Sequence, residues 1–236
     1  MTSDPKSDTA KKPRPNPGKS RIGPKPGPKT GPGRPLQPLI TREAAAEHAI
    51  RIIDAKGLDA LRVQTLAEAI GVTAPSLYYH FKDKDELLAL VAFELLRQIG
   101  EGAQADATWE ERVIELSVNT RRVILRHANA APVLLRYFPR KLMLGAYERT
   151  LADCPYPRRS HAVVLEALEK LTYGASLFAA AAATHHSPAM PAFSAERFPL
   201  LAAARASGPD DDEALFVETL LALLDGFRIR YGAGND

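Results

Sequence analysis

Val63-Gln-Thr-Leu-Ala-Glu-Ala-Ile-Gly-Val-Thr-Ala-Pro-Ser-Leu-Tyr-Tyr-His-Phe81 reads as two short helices joined by a tight turn. Leu66, Ala67 and Ile70 share one face of the first helix. Gly71 follows where a residue able to take positive φ ends a helix at little steric cost. Val72 plugs the turn, and the side-chain oxygen of Thr73 is expected to cap the second helix. Pro75 falls in the first turn of that helix, where a missing N–H costs almost nothing. Leu77 and Phe81, four apart, face inward. Ala67 and Gly71 keep both close-approach points small, so the two helices can cross steeply in a helix-turn-helix.

With Leu77 and Phe81 committed to the core, the second helix presents Pro75, Ser76, Tyr78, Tyr79 and His80. Uncharged groups that hydrogen-bond or stack suit the major groove, where phosphate contacts orient a protein and side chains touch base edges and thymine methyls. A solvated helix with one half-buried tyrosine is the competing reading.

Gly71 to Lys84 (Gly-Val-Thr-Ala-Pro-Ser-Leu-Tyr-Tyr-His-Phe-Lys-Asp-Lys) resembles the DNA-reading segment of the tetracycline-repressor (TetR) family of transcriptional regulators. That pattern is a Gly-Val turn, then Leu-Tyr-x-His-Phe, a Lys three residues on and a Leu-rich helix. The resemblance implies operator DNA as partner. Its expected contacts are Arg42, Gln64, Thr73, Pro75, Ser76, Tyr78, Tyr79, His80 and Lys84, with Arg42 at the start of the first helix reaching a phosphate.

The 236 residues suffice for one large or two modest domains. A single cysteine, Cys154, precludes an internal disulfide, and no Cys/His pattern suggests zinc. No apolar run reaches the roughly 18 residues of a membrane span, and the basic N-terminus lacks a signal peptide's apolar segment. A cytoplasmic protein is expected. Residues 1–40 carry nine Lys/Arg against two Asp, while the remainder carries 22 basic against 26 acidic residues. Ten of the 19 prolines lie in this arm, which cannot offset its ordering entropy and is expected to be disordered or extended. Its Gly31-Pro-Gly-Arg34-Pro35 resembles a minor-groove hook. An architectural protein using this arm on A·T-rich DNA, without an effector, is the alternative function.

The expected fold is all-α with nine or ten helices. A disordered arm (1–40) precedes a three-helix helix-turn-helix domain (41–100) and a larger helical domain for effector binding and dimerisation (101–236). Thr41 and Asp83 are expected N-caps, and Gly57 a stop. Beyond Thr108 the period is helical throughout. Helices are expected over Trp109–His127, with Trp109, Val113, Leu116 and Val123 inward, over Arg140–Asp153, and from a Ser160 cap to about Thr184. Two more follow, over Ser194–Ala206 and from Asp210 to Tyr231. The helices near 160–184 and 210–231 are more apolar than one core requires, which points to a homodimer.

Trp109, Arg122 to Val133, Thr172-Tyr173-Gly174, and Leu215-Phe216 through Gly226 resemble the effector domain of the tetracycline-repressor branch. The position where that branch places a metal-coordinating histidine holds Leu134, so neither metal nor tetracycline is carried over. No cofactor is expected. An unidentified small-molecule effector is, apolar or aromatic, with Trp109, Leu116, Thr120, Tyr147, Tyr173 and Leu177 as candidate lining. His127 reads as a satisfied helix-end histidine. Ser160, His161 and Asp153 lack a nucleophile elbow, so catalysis is not expected.

Overall fold

The computed structural model describes residues 40–100, 106–185, 190–209 and 211–232, so the basic arm, apart from Ile40, lies outside the described residues. Among these the chain forms ten α-helices and no strand.

Helix α1 (Arg42–Lys56) begins where Thr41 Oγ1 accepts the Ala44 N–H at 3.1 Å, and stops at Gly57, whose φ of 80° a side chain would resist. A single 3-10 turn (Leu58–Ala60) leads into α2 (Val63–Ile70). Gly71 closes α2 in the left-handed region (φ 82°, ψ 33°), and the Val72 N–H returns to Ala67 O at 2.9 Å. Helix α3 is one turn, Ala74–Leu77, and α4 runs over Lys84–Arg97. Asp83 caps α4 through the Glu86 N–H at 2.8 Å.

Ala45, Ala49, Ile53, Leu61, Leu66, Leu77, Phe81, Leu87 and Val91 are almost wholly excluded from water. Each large member of that group stabilises the fold by roughly 1.5–3 kcal/mol. The cluster does not end with the first four helices. Ile124, Ala130, Ala131, Val133, Leu134 and Ala180 pack into it, so the helix-turn-helix shares one core with part of the C-terminal half.

That half comprises α5 (Trp109–Arg126), α6 (Ala131–Tyr137), α7 (Arg140–Ala152), α8 (His161–Thr184), α9 (Pro199–Ser207) and α10 (Asp212–Tyr231). Thr108 and Glu111 close a reciprocal capping box at the start of α5. A second core gathers Trp109, Val113, Tyr156, Val164, Leu168, Phe216, Leu220, Leu224 and Phe227 where α5, α8 and α10 meet. Trp109 donates its indole N–H to Thr150 O at 2.7 Å and meets the Tyr156 ring edge-on at 5.6 Å.

Four local expectations fail. Thr73 occupies the N-cap position of α3 without capping through its side chain. Pro75 offers no N–H and the Ser76 N–H goes to Thr73 O at 2.9 Å, so the Thr73 hydroxyl pairs with Ser76 Oγ at 2.8 Å. Ser160 likewise makes no cap, because it ends a 3-10 turn (Arg158–Ser160) and its hydroxyl donates to Pro157 O. The helix expected from Ser194 starts only at Pro199. Residues 195–197 form a turn, and Phe198, preceding a proline, is kept out of helical geometry at φ −130°, ψ 63°. Leu116 points outward, its place on the inner face of α5 taken by Ser117, Thr120 and Arg121.

Candidate DNA-reading head and effector side

The turn after α3 sorts its side chains sharply. Leu77 and Phe81 are sealed in the core, whereas Tyr79 is 90 % exposed and Tyr78 52 %. Thr73 and Pro75 are exposed, and Ser76 and His80 half-buried. Gln64 on α2 and Lys84 at the start of α4 also face solvent. Tyr79 thus presents a large aromatic ring to solvent from a fixed turn, accessible to a partner surface.

Arg42, which the resemblance places at a phosphate, stands at the start of α1 and bonds within the chain. Its guanidinium donates to His80 O at 2.6 Å and to Glu86 Oε1 at 2.6 Å, while Glu86 Oε2 accepts the Lys82 N–H at 2.8 Å. The Lys82 N–H, and then Arg42, hold the Glu86 carboxyl below the usual carboxylate range.

Two polar junctions tie this head to the rest of the chain. His127, at the end of α5, has Nδ1 2.7 Å from Asp54 Oδ2 of α1 and Nε2 3.1 Å from Gln98 Oε1 just past α4. Asn129 adds a bond to Asp54 O at 2.9 Å. Tyr137 of α6 donates its hydroxyl to Asp85 of α4, beside which Arg136 sits at 3.7 Å. The satisfied-histidine expectation for His127 matches this geometry.

The six candidate lining residues separate into two groups. Trp109 belongs to the core at the α10 end, Leu116 is 40 % exposed, and the buried Thr120 hydroxyl donates to its own helix at Leu116 O. Tyr147, Tyr173 and Leu177 lie at the other end. The Tyr147 hydroxyl donates to Glu169, and burial pushes the Tyr173 phenol up. Tyr173 stacks edge-on with Phe138 at 4.9 Å, and Phe138 borders an open groove of about 620 Å³ between α4 and the α6–α7 turn. Ala89, Phe93, Tyr137, Arg140 and Leu142 also line it. None of the six expected residues does. The signal that could have found it is the aromatic and cationic run Arg136-Tyr-Phe-Pro-Arg140, set around a proline between two helices. Leu134 is buried in the core, and among the described residues no group of His, Cys, Asp and Glu could hold a metal ion.

The profile of "Bacterial regulatory proteins, tetR family" matches residues 46–91. That of "Tetracyclin repressor-like, C-terminal domain" matches residues 101–231, more than half of the chain. The chain belongs to the TetR family. Members of this family are transcriptional regulators. Among its relatives, the tetracycline repressor protein class D of Escherichia coli is 27 % identical over 204 residues, covering 82 % of this chain and 92 % of the relative. A possible TetR family transcriptional regulator from Streptomyces coelicolor A3(2) superposes with a TM-score of 0.66 at 28 % identity, over 80 % of this chain and 99 % of the other. The TetR family protein ActR of Streptomyces coelicolor, solved in complex with actinorhodin, shares the fold with a TM-score of 0.65. It is 23 % identical over 83 % of this chain and 99 % of that one.

In TetR terms, the first profile covers α2, α3 and most of α1 and α4, where the exposed tyrosines stand. The second covers α5 to α10, which supply the C-terminal side of both polar junctions. Among the described residues no helix is long and apolar enough to cross a membrane.

Proposed function

We propose that this TetR-family regulator is a cytoplasmic homodimer that represses transcription from a near-palindromic operator and leaves it on binding a small molecule. The observation that carries the reading is the pair Tyr78 and Tyr79, held in solvent by Leu77 and Phe81 on the same turn. In this reading α3 and its turn enter the major groove. Gln64, Thr73, Pro75, Ser76, Tyr78, Tyr79 and His80 meet bases or the adjacent backbone, and Lys84 meets a phosphate.

Dimerisation through α8 and α10 is supported by the large apolar side chains they leave in water. Phe178 is 81 % exposed, Ile229 79 % and Leu215 51 %. A two-fold pair would set two reading heads about 34–36 Å apart, or a multiple of that, on one face of the duplex.

The effector is a small apolar or aromatic molecule seated by α4, the α6–α7 turn and the Tyr173 side of α8. Tyr147, Tyr173 and Leu177 stay in that reading as neighbours of the groove rather than its lining, linked to it through Tyr173 against Phe138. Trp109, Leu116 and Thr120 drop out, because two of them are structural and one points away. Because α4 both borders the groove and carries Glu86, a ligand that prefers a tilted α4 lowers operator affinity by its differential affinity for the two forms.

The test is to select duplexes from a random-sequence library with the full chain, then challenge the complex with aromatic compounds. A discrete, two-fold symmetric sequence released by at least one compound is expected. Enrichment of A·T-rich DNA without a defined site, abolished by deleting residues 1–36, would favour the architectural alternative. No enrichment at all would end the DNA-reading assignment.

A further inference from the structure

The exposed arginine at the mouth of the first helix would ordinarily be assigned to a phosphate. The geometry points to a different role: Arg42 and Glu86 form a clamp that sets the pose of the recognition turn, making Arg42 a positioning residue for sequence reading rather than a backbone contact.

One guanidinium spans two acceptors on separate elements, His80 O at the end of the recognition turn and Glu86 Oε1 on α4, both at 2.6 Å. The other oxygen of Glu86 takes the Lys82 N–H at 2.8 Å, two residues beyond that carbonyl. Asp83 accepts the Glu86 N–H, so the carboxylate is itself anchored at the helix start. The main-chain path from His80 to Lys82 is thus held at both ends by a single Arg–Glu pair. Between those ends, Phe81 is sealed in the core, and the His80 and Phe81 N–H groups donate to Leu77 O at 2.9 and 3.3 Å. Tyr78 and Tyr79 immediately precede this segment, so the direction in which they leave the protein depends on it.

The pair is partly exposed, with side-chain accessibilities of 44 % for Arg42 and 32 % for Glu86. An exposed ion pair alone contributes little to stability. Two charge-assisted bonds to fixed partners contribute more to geometry than to folding. A planar guanidinium makes such a bridge, whereas one lysine ammonium would have to give up one of the two acceptors or strain to reach both.

The clamp rests on the DNA-reading assignment, and its test separates the two. Full-length wild type, Arg42→Lys, Arg42→Ala and Glu86→Gln are titrated onto a library-selected duplex and a scrambled duplex of equal composition, across a salt series. A clamp predicts that all three variants lose about three- to tenfold on the selected duplex. It also predicts little loss on the scrambled one and, for Arg42→Lys and Glu86→Gln, a salt slope no shallower than wild type. A phosphate contact predicts the opposite pattern. Arg42→Lys would match wild type. Arg42→Ala would lose affinity on both duplexes with a slope shallower by about 0.9 per contact, and Glu86→Gln, by freeing Arg42 and removing a negative charge, would bind as tightly or tighter. Either a wild-type-like Arg42→Lys or a Glu86→Gln that binds as tightly as wild type or tighter overturns the clamp. Thermal melts check folding, and should Arg42→Ala fail to fold, the other two variants still decide. A wild type that selects no duplex would instead end the DNA-reading assignment.

Discussion

Replacing Tyr79 with alanine separates recognition from folding. At 90 % exposure the ring makes no buried contact, so its loss should change stability by less than about 0.5 kcal/mol. For a domain of this size that is a melting shift within about 2 °C. A side chain reading one base step contributes about 1–3 kcal/mol of discrimination, or about 5- to 150-fold. A homodimer carries the substitution twice, so a full operator should show about 2–6 kcal/mol and an isolated half-site the single value. The assay is fluorescence anisotropy with full-site, half-site and scrambled duplexes, run alongside thermal melts. Tyr79→Phe divides the effect, keeping ring stacking and losing only the roughly 0.5–1.5 kcal/mol of a hydroxyl hydrogen bond. Equal losses on operator and scrambled DNA would refute the base-reading role, and so would a drop in melting temperature large enough to account for the lost binding.

The other expectations span both halves of the chain. Gly71→Ala should cost about 1–2 kcal/mol in denaturant unfolding, since φ is 82° and a Cβ would meet nothing within 4 Å, leaving backbone strain as the whole effect. An unchanged midpoint would mean the turn relaxes. Lys84→Ala should weaken all duplexes alike and reduce the salt slope by about 0.9 per subunit, whereas an unchanged slope would remove Lys84 from the phosphate contacts. Phe178→Asp places a charge on an apolar side chain 81 % exposed in the single chain, and should shift sedimentation from dimer towards monomer without unfolding α8. If the dimer persists unchanged, its contact lies elsewhere.

The reading head was legible because its signals are local. Gly71 ends a helix through its own φ, Pro75 fits only a first turn, and Leu77 and Phe81 face one way by helical spacing alone. Asp83 and Thr41 cap as their types suggest. The clamp was not legible, because Arg42 and Glu86 are 44 positions apart and no periodicity links them. Apolarity misled on α5. It selects Leu116, yet the inner face carries Ser117, which accepts from Thr172 at 3.1 Å, and Arg121, which pairs with Asp212 and lies over the Phe216 ring. Hydrogen bonding to a neighbouring helix lets polar residues occupy a buried stripe, and a sequence read one helix at a time has no access to that partner. The candidate lining residues meet the same limit. Trp109, a candidate lining residue by its type, has its indole N–H committed to Thr150 O and its ring set against Tyr156. The groove lies where the end of α6, the Phe138-Pro139 link and the start of α7 face α4, a juxtaposition that no single helical period reveals.

Hydroxyl-radical footprinting of the full chain on its selected duplex tests the central claim most directly. The account predicts two protected half-sites, related by a dyad and centred about 34–36 Å apart or a multiple of that, each losing definition in Tyr79→Ala. A single protected tract without two-fold symmetry, or protection that Tyr79→Ala leaves intact, would contradict it.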